Sequence, residues 1–180
     1  MQERISSPHG DVTLRAAAAQ DAMPYRKLRL EALRNHPTAF GADYEENLSR
    51  PESYWQERLR INDEEEALFF AAHGRRLIGM TGIYRSLSKR HKHQATVWGV
   101  YVKEDWRGLH IAEALIGNCL EWARTKGVVI ARLGVAADNQ PAIRCYERCG
   151  FVTYGLEAKA LLHEGKYIDE YLMACDLQAG

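Results

Sequence analysis

Trp106-Arg107-Gly108-Leu109-His110-Ile111-Ala112 decides the reading of this chain. The apolar run Val97-Trp98-Gly99-Val100-Tyr101-Val102 precedes it, and Ile111, Leu115, Cys119 and Trp122 follow at helical spacing. That order predicts a strand, a turn and a helix. The first N–H groups of such a helix have no partner within it. Together with the positive end of the helix dipole they form an anion site. Arg107 adds a guanidinium suited to phosphate, and Gly108 lets a ligand approach the backbone closely. A second segment begins 27 residues after Ala112 and runs from Asn139 through Ala142 and Tyr146 to Gly150-Phe151. Asn139 reads as a helix cap. Ala142, Cys145, Tyr146 and Cys149 share one face of that helix, and Gly150 ends it.

Together these segments resemble the GNAT acetyltransferase superfamily. Its pyrophosphate motif runs Gln/Arg-x-x-Gly-x-Gly/Ala. Arg107 and Ala112 match it, and His110 stands where the family has Gly. The second signature, Asn-x-x-Ala-x-x-x-Tyr-x-x-x-Gly-Phe, is matched at Asn139, Ala142, Tyr146, Gly150 and Phe151. The resemblance extends from residue 12 to the end, because Gly165 to Met173 looks like the closing hairpin of such proteins.

The resemblance implies an α/β fold: a mixed, mostly antiparallel sheet of six to seven strands flanked by about four helices. The fourth and fifth strands splay apart and hold the pantetheine arm of acetyl-CoA between them. Backbone groups of Val100 and Val102 pair with that arm. Arg107, Gly108 and the N–H groups of Leu109, His110, Ile111 and Ala112 hold the pyrophosphate. Asn139 caps its helix and bonds the pantetheine. Tyr146, a phenol of ordinary pKa about 10, protonates the departing thiolate; the other reading is a core tyrosine. At His110 only a backbone N–H is needed. With φ below zero His costs little there; a positive φ strains it, though His is among the better tolerated residues. Its side chain is expected near solvent, the other reading being a ring that reaches phosphate. Bacterial N-terminal acetyltransferases of ribosomal proteins carry a Glu on the strand before the Asn motif, where Leu133-Gly134-Val135 here offers Gly134. The base is therefore sought in Glu45 or Glu46, in a loop over the acceptor cleft, or in a water relay.

Composition narrows the remaining classes. With 180 residues, 46% apolar and 27% charged, the chain suits one globular domain over 11–180, with residues 1–10 expected to be disordered. A net charge of zero argues against nucleic acid as a partner. No apolar run approaches the roughly 20 residues of a membrane helix, and no signal peptide is visible, so no membrane association and a cytoplasmic location are expected. Four Cys in periodic segments read as small buried hydrophobes in a reduced protein, and no metal is expected.

Along the chain, a strand at Val12–Ala16 precedes a helix that Asp21 can cap and that buries Tyr25, Leu28 and Ala32 before stopping at His36-Pro37. Residues 38–50 read as irregular or weakly helical, and a short helix runs from Pro51 to about Arg60. The acidic run Asp63–Glu66 reads as a solvated loop. Strands follow at Leu68–Ala72, Leu77–Tyr84 and Ala95–Val102, with a basic loop over 86–93. The helix Ile111–Lys126 closes at Gly127. Val128–Ala136 reads as a strand buried on both faces, and the hairpin 151–162 and 166–176 turns about Glu164-Gly165. Parallel pairing is expected only across the Ile111 helix.

These features predict an acyl-CoA-dependent N-acyltransferase whose acceptor amine attacks the thioester directly. The alternative is a non-catalytic CoA-binding or sensing module of the same fold. A dinucleotide oxidoreductase is disfavoured, since Gly-x-Gly-x-x-Gly is absent. The acceptor, a small-molecule amine or a peptide N-terminus, stays open, as does association into a homodimer.

Overall fold

The computed structural model describes residues 3–60 and 63–178. Its strands are β1 (Glu3–Ile5), β2 (Val12–Ala16), β3 (Glu66–His73), β4 (Arg76–Arg85), β5 (Gln94–Val102), β6 (Ile130–Ala136), β7 (Val152–His163) and β8 (Lys166–Asp176). Its α-helices are α1 (Ala22–Asn35), α2 (Tyr44–Ser49), α3 (Glu52–Arg58), α4 (Ile111–Thr125) and α5 (Gln140–Arg148). The eight strands form one sheet in the order β1-β2-β3-β4-β5-β6-β8-β7. Only β5 and β6 pair in parallel, across the α4 crossover.

The sheet has one strand more than the sequence suggests, and the strand is β1. Residues 1–10 were expected to lack structure, yet Ile5 pairs with Val12 and packs on the core around Val12 and Leu14. Residues 1 and 2 lie outside the described residues. Each face of the sheet carries its own helices. The stripe Ile116, Cys119, Leu120 and Ala123 of α4 packs with α5 against Val97, Ala131 and Leu133. On the opposite face Tyr25, Leu28 and Ala32 of α1 and Trp55 of α3 pack on Phe70, Met80 and Tyr101.

Three expectations change on folding. Asp21 precedes α1, but its carboxylate makes no capping bond. It accepts a fork from Arg15 at 2.6 and 2.7 Å and a bond from the Ala18 N–H, tying the start of α1 to β2. The acidic run is not merely solvated. Asp63 accepts from the Trp122 indole at 3.3 Å, and Lys126 reaches Asp63 and Glu64 at 2.7 and 2.9 Å, so the run clasps the end of α4. Finally, β6 is buried mainly on one face: Ala131, Leu133 and Val135 enter the core while Arg132 and Gly134 do not, and on their face only Ala136 at the strand end is buried.

Two glycines shape the centre of the sheet. Between the pairs Met80–Tyr101 and Gly82–Trp98, Gly99 and Val100 together face Thr81. This is a β-bulge, and Gly99 has the positive φ of 66° that it requires. Beyond Thr96 the ladder to β6 stops, since pairing covers only Gln94–Thr96 with Ile130–Arg132. At Gly82 the Trp98 ring lies where a side chain would stand: a Cβ there would come within 2.3 Å of it.

Candidate active site

Where β5 parts from β6 a cleft of about 510 Å³ opens. Val100, Val102, Arg107, Gly108, His110, Ile111, Ala112, Asn139 and Tyr146 all line it. Leu109 does not; its side chain packs toward the core around Trp106 and Ile111. Two segments distant in sequence thus meet because α4 and α5 start at the same end of the splayed strands.

Two residues of the turn before α4 take the left-handed conformation. Gly108 has φ 77°, and a Cβ there would meet nothing within 4 Å, so Gly serves the backbone conformation rather than space. His110 takes the left-handed conformation at φ 57° and ψ 18°, with its side chain 76% exposed. Its Nδ1 lies 3.2 Å from Glu113. Arg148 of α5 also donates to Glu113, at 2.6 and 3.0 Å. Burial opposes ionisation of Glu113, but the bonds from Arg148, from its own backbone N–H and from His110 hold its carboxyl below the usual range. A carboxylate therefore already stands at the positive end of α4. Arg107 donates from Nε to the Val102 carbonyl at 3.1 Å and from Nη2 to His36 Nε2 at 2.8 Å. Burial and the neighbouring guanidinium hold His36 below its usual pKa, which suits an accepting imidazole.

Tyr146 enters the cleft from α5. Its ring is 9% exposed and packs edge-on to Phe151 at 6.2 Å. Burial, followed by the neighbouring thiols of Cys145 and Cys149, pushes its phenol well above the ordinary value. Its hydroxyl bonds no described residue. The Asn139 carbonyl oxygen caps α5 by accepting from the Ala142 N–H at 3.3 Å, which leaves its amide N–H groups available. All four cysteines are free, and no described cluster of His, Cys, Asp and Glu could hold a metal. No described helix is long and apolar enough to cross a membrane.

The other face of the splay, the one carrying α1, holds groups that sequence patterns did not single out. His36, Ala39 and Phe40 from the end of α1 and the segment after it line the cleft. Glu170 of β8 pairs with Ala136, and its carboxylate fills the place of the missing Gly134 side chain: a Cβ there would lie 2.8 Å from Oε2. The Glu170 carboxylate has no hydrogen-bond or ion-pair partner among the described residues. Burial, then the facing Glu157 of β7, raises its pKa. Glu45 and Glu46 stand exposed in the first turn of α2, which packs on α1. One signal for Glu170 was present, the Gly at position 134, but its partner lies 36 residues away.

Comparison with known proteins follows this geometry. Residues 25–151 match the model of the acetyltransferase (GNAT) family. The chain is 32% identical over 124 residues to the L-amino acid N-acetyltransferase of Escherichia coli, covering 67% of this chain and 74% of that one. A Salmonella typhimurium protein, described as an acetyltransferase with its cofactor acetyl-CoA, superposes with a TM-score of 0.76 at 17% identity, over 94% of this chain and 95% of that one. Spermidine N-acetyltransferase from Vibrio cholerae, solved with CoA and spermine, gives 0.75 at 23% identity over 92% and 95%. Both structures share the fold.

Proposed function

We propose that this chain, which belongs to the GNAT acetyltransferase family, moves an acetyl group from acetyl-CoA to a primary amine by direct attack in a ternary complex. The observation that carries this reading is the parting of β5 from β6 beside the N-terminus of α4. The backbone N–H groups of Leu109 to Ala112, with Arg107, hold the pyrophosphate. The open side of Gly108 supports that fit. Val100 and Val102, beyond the end of the ladder to β6, offer backbone groups to the pantetheine amides, and the Asn139 amide adds a donor. The Val100 N–H polarises the thioester carbonyl.

A protonated acceptor amine must first lose a proton. Glu170 is the base we assign. Its carboxylate is unpaired, it stands on β8 beside Gly134 in the splayed half of β6, and its raised pKa brings it nearer the working range of a base. The freed amine nitrogen then attacks the thioester carbon. A C–N bond forms, the C–S bond breaks, and Tyr146 gives its phenolic proton to sulfur. Solvent restores that proton and takes the one held by Glu170. Cys145 lines the cleft but is not assigned as an acyl carrier, because its bond to Cys149 and its burial push its thiol up.

The test is a thermal shift series with acetyl-CoA, desulfo-CoA and NAD, followed by thiol release with a panel of amines. A ligand at a hundred times its Kd adds about 2.7 kcal/mol of stability. Both CoA compounds are expected to raise Tm and NAD is not. A CoA shift with no thiol release from any amine would leave a binding module instead of an enzyme.

A further inference from the structure

Arg29 of α1 is only 8% exposed. Its guanidinium lies 5.0 Å from the Phe40 ring and 5.9 Å from the Trp98 ring. Nη1 is buried without a hydrogen-bond partner, and Arg29 makes no hydrogen bond or ion pair with any described residue. Its neighbours are treated differently. Arg58, also stacked on Trp98, forks onto Glu66 at 2.7 and 2.8 Å. Arg15 forks onto Asp21. Aromatic faces attract a cation, but they offer no in-plane acceptor for five N–H donors. A desolvated charge without a partner destabilises the fold. Burial, with Arg58 nearby, accordingly disfavours the charged form of Arg29.

The position of this lone cation is informative. Nη1 would lie 3.4 Å from a Cβ at Gly99, the bulge residue next to Val100. Phe40, which covers the guanidinium, also lines the cleft. The cation thus stands where the strands part, on the face opposite the one that α4 covers.

We infer that Arg29 anchors an anionic group of the acceptor, so that the acceptor is an amine bearing a carboxylate, in the class of α-amino acids. The inference rests on the acetyltransferase reading above. A carboxylate matches the planar fork of a guanidinium in charge and geometry. A polyamine would instead bring further positive charge toward Arg29 and Arg58. Turning the Phe40 ring aside gives a carboxylate access to the fork.

Steady-state acetylation of a free amino acid, its carboxamide and spermidine tests this. Wild type is expected to favour the free acid over the carboxamide by about 10- to 100-fold in kcat/KM, the range for a hydrogen bond to a charged group. In Arg29→Met that preference should vanish, chiefly through KM, with acetyl-CoA affinity within about twofold. Tm should not fall, since an unpaired buried charge has been removed. Arg29→Lys should keep part of the preference. Thermal shifts by acid and carboxamide in the presence of desulfo-CoA read carboxylate recognition without turnover, so failure of the transferase reading shows separately. Equal use and equal shifts of acid and carboxamide by wild type would overturn the inference. So would an unchanged preference in Arg29→Met, or a Tm collapse of that variant together with equal shifts in wild type.

Discussion

The two faces of the splay are made differently. On the α4 face the cleft uses mostly backbone: the turn Arg107–Ala112, the freed edge of Val100 and Val102, and the start of α5. On the α1 face side chains from separate elements gather beside the splay: Arg29 of α1, Phe40, which lines the cleft, Trp98 of β5 and Glu170 of β8. A nucleotide-bearing cosubstrate can be met by a contiguous strand–turn–helix, because helix ends bind anions whatever side chains they carry. An acceptor is recognised by particular charges, and those converge only through tertiary packing. The faces should therefore respond differently to substitution.

The largest separation is expected from Tyr146→Phe, which touches the chemistry and little else. A positioned proton donor is worth about 10²–10⁴-fold, and a thiolate already leaves well, so a fall in kcat near the lower end is expected. Acetyl-CoA affinity and Tm should hold, because the ring and its Phe151 contact remain. Unchanged kcat with chemistry shown to limit the rate would make Tyr146 a core tyrosine.

Glu170→Gln probes the opposite face. We expect kcat to fall about 10- to 100-fold near neutral pH, at the low end of general-base effects. The deficit should shrink at alkaline pH as more of the acceptor is present as free amine. A deficit that is the same at every pH would remove the base assignment. Stability should move the other way. The folded-state pKa of Glu170 is raised, so its ionisation works against folding as pH rises above the unfolded carboxyl value. The Gln variant should then melt higher than wild type at pH 7, with the gain fading in acid.

What was legible follows the same division. Strong periodicity placed α4, α5 and most strands within a few residues, and nine of the ten proposed site residues, from the two motifs and the strand before them, line one cleft. Three residues of β1 were too short to show a pattern, and pairing with β2 supplies their order. The run Val128–Ala136 read as doubly buried because composition does not reveal that no helix covers Gly134 on the splayed side. Gly134 hinted at Glu170, but only the pairing of β6 with β8, which sets Glu170 opposite Ala136, brings its carboxylate to Gly134. Arg29 did leave a trace: it lies four residues after Tyr25 and three before Ala32, inside the buried stripe of α1.

Gly82→Ala would disturb the α1 face through packing alone. The added Cβ would meet the Trp98 ring at 2.3 Å, and the guanidinium groups of Arg58 and Arg29 already pack on that ring. Overpacking of this kind costs about 1–3 kcal/mol, read as a lower Tm or denaturant midpoint. Because the Trp98 ring packs on Arg29, the group assigned to the acceptor, acceptor KM should rise more than acetyl-CoA Kd. Equal damage to both would show that the two faces are not independent.

Glu113→Gln acts on the α4 face with a smaller expected effect. Its carboxylate occupies the helix end and engages Arg148. Removing the charge frees Arg148 for phosphate and lifts repulsion of the pyrophosphate. A charge at a helix N-terminus is worth about 0.3–1 kcal/mol, so acetyl-CoA Kd should tighten by about two- to fivefold at low salt. Calorimetric titration reads this directly, and weaker binding would mean that Glu113 orders the site instead of competing for it.

The smallest effect is expected at the one motif position that departs from the family. His110 has φ 57°, where a residue other than Gly carries a strain of about 1–3 kcal/mol. His110→Gly relieves that strain but makes the unfolded chain more flexible, which takes back about 0.5–1 kcal/mol. It also removes the contact with Glu113, which is weak on an imidazole 76% exposed. The result should be a small rise in Tm. Acetyl-CoA affinity should stay within about threefold, because we assign the phosphate contact to the backbone N–H that Gly retains. Titrations at pH 6 and pH 8 bracket the range in which imidazoles gain charge. A loss of affinity confined to pH 6 would mean that the ring itself meets phosphate. The α4 face would then use a side chain where its relatives use backbone, and the contrast between the two faces would narrow at that position.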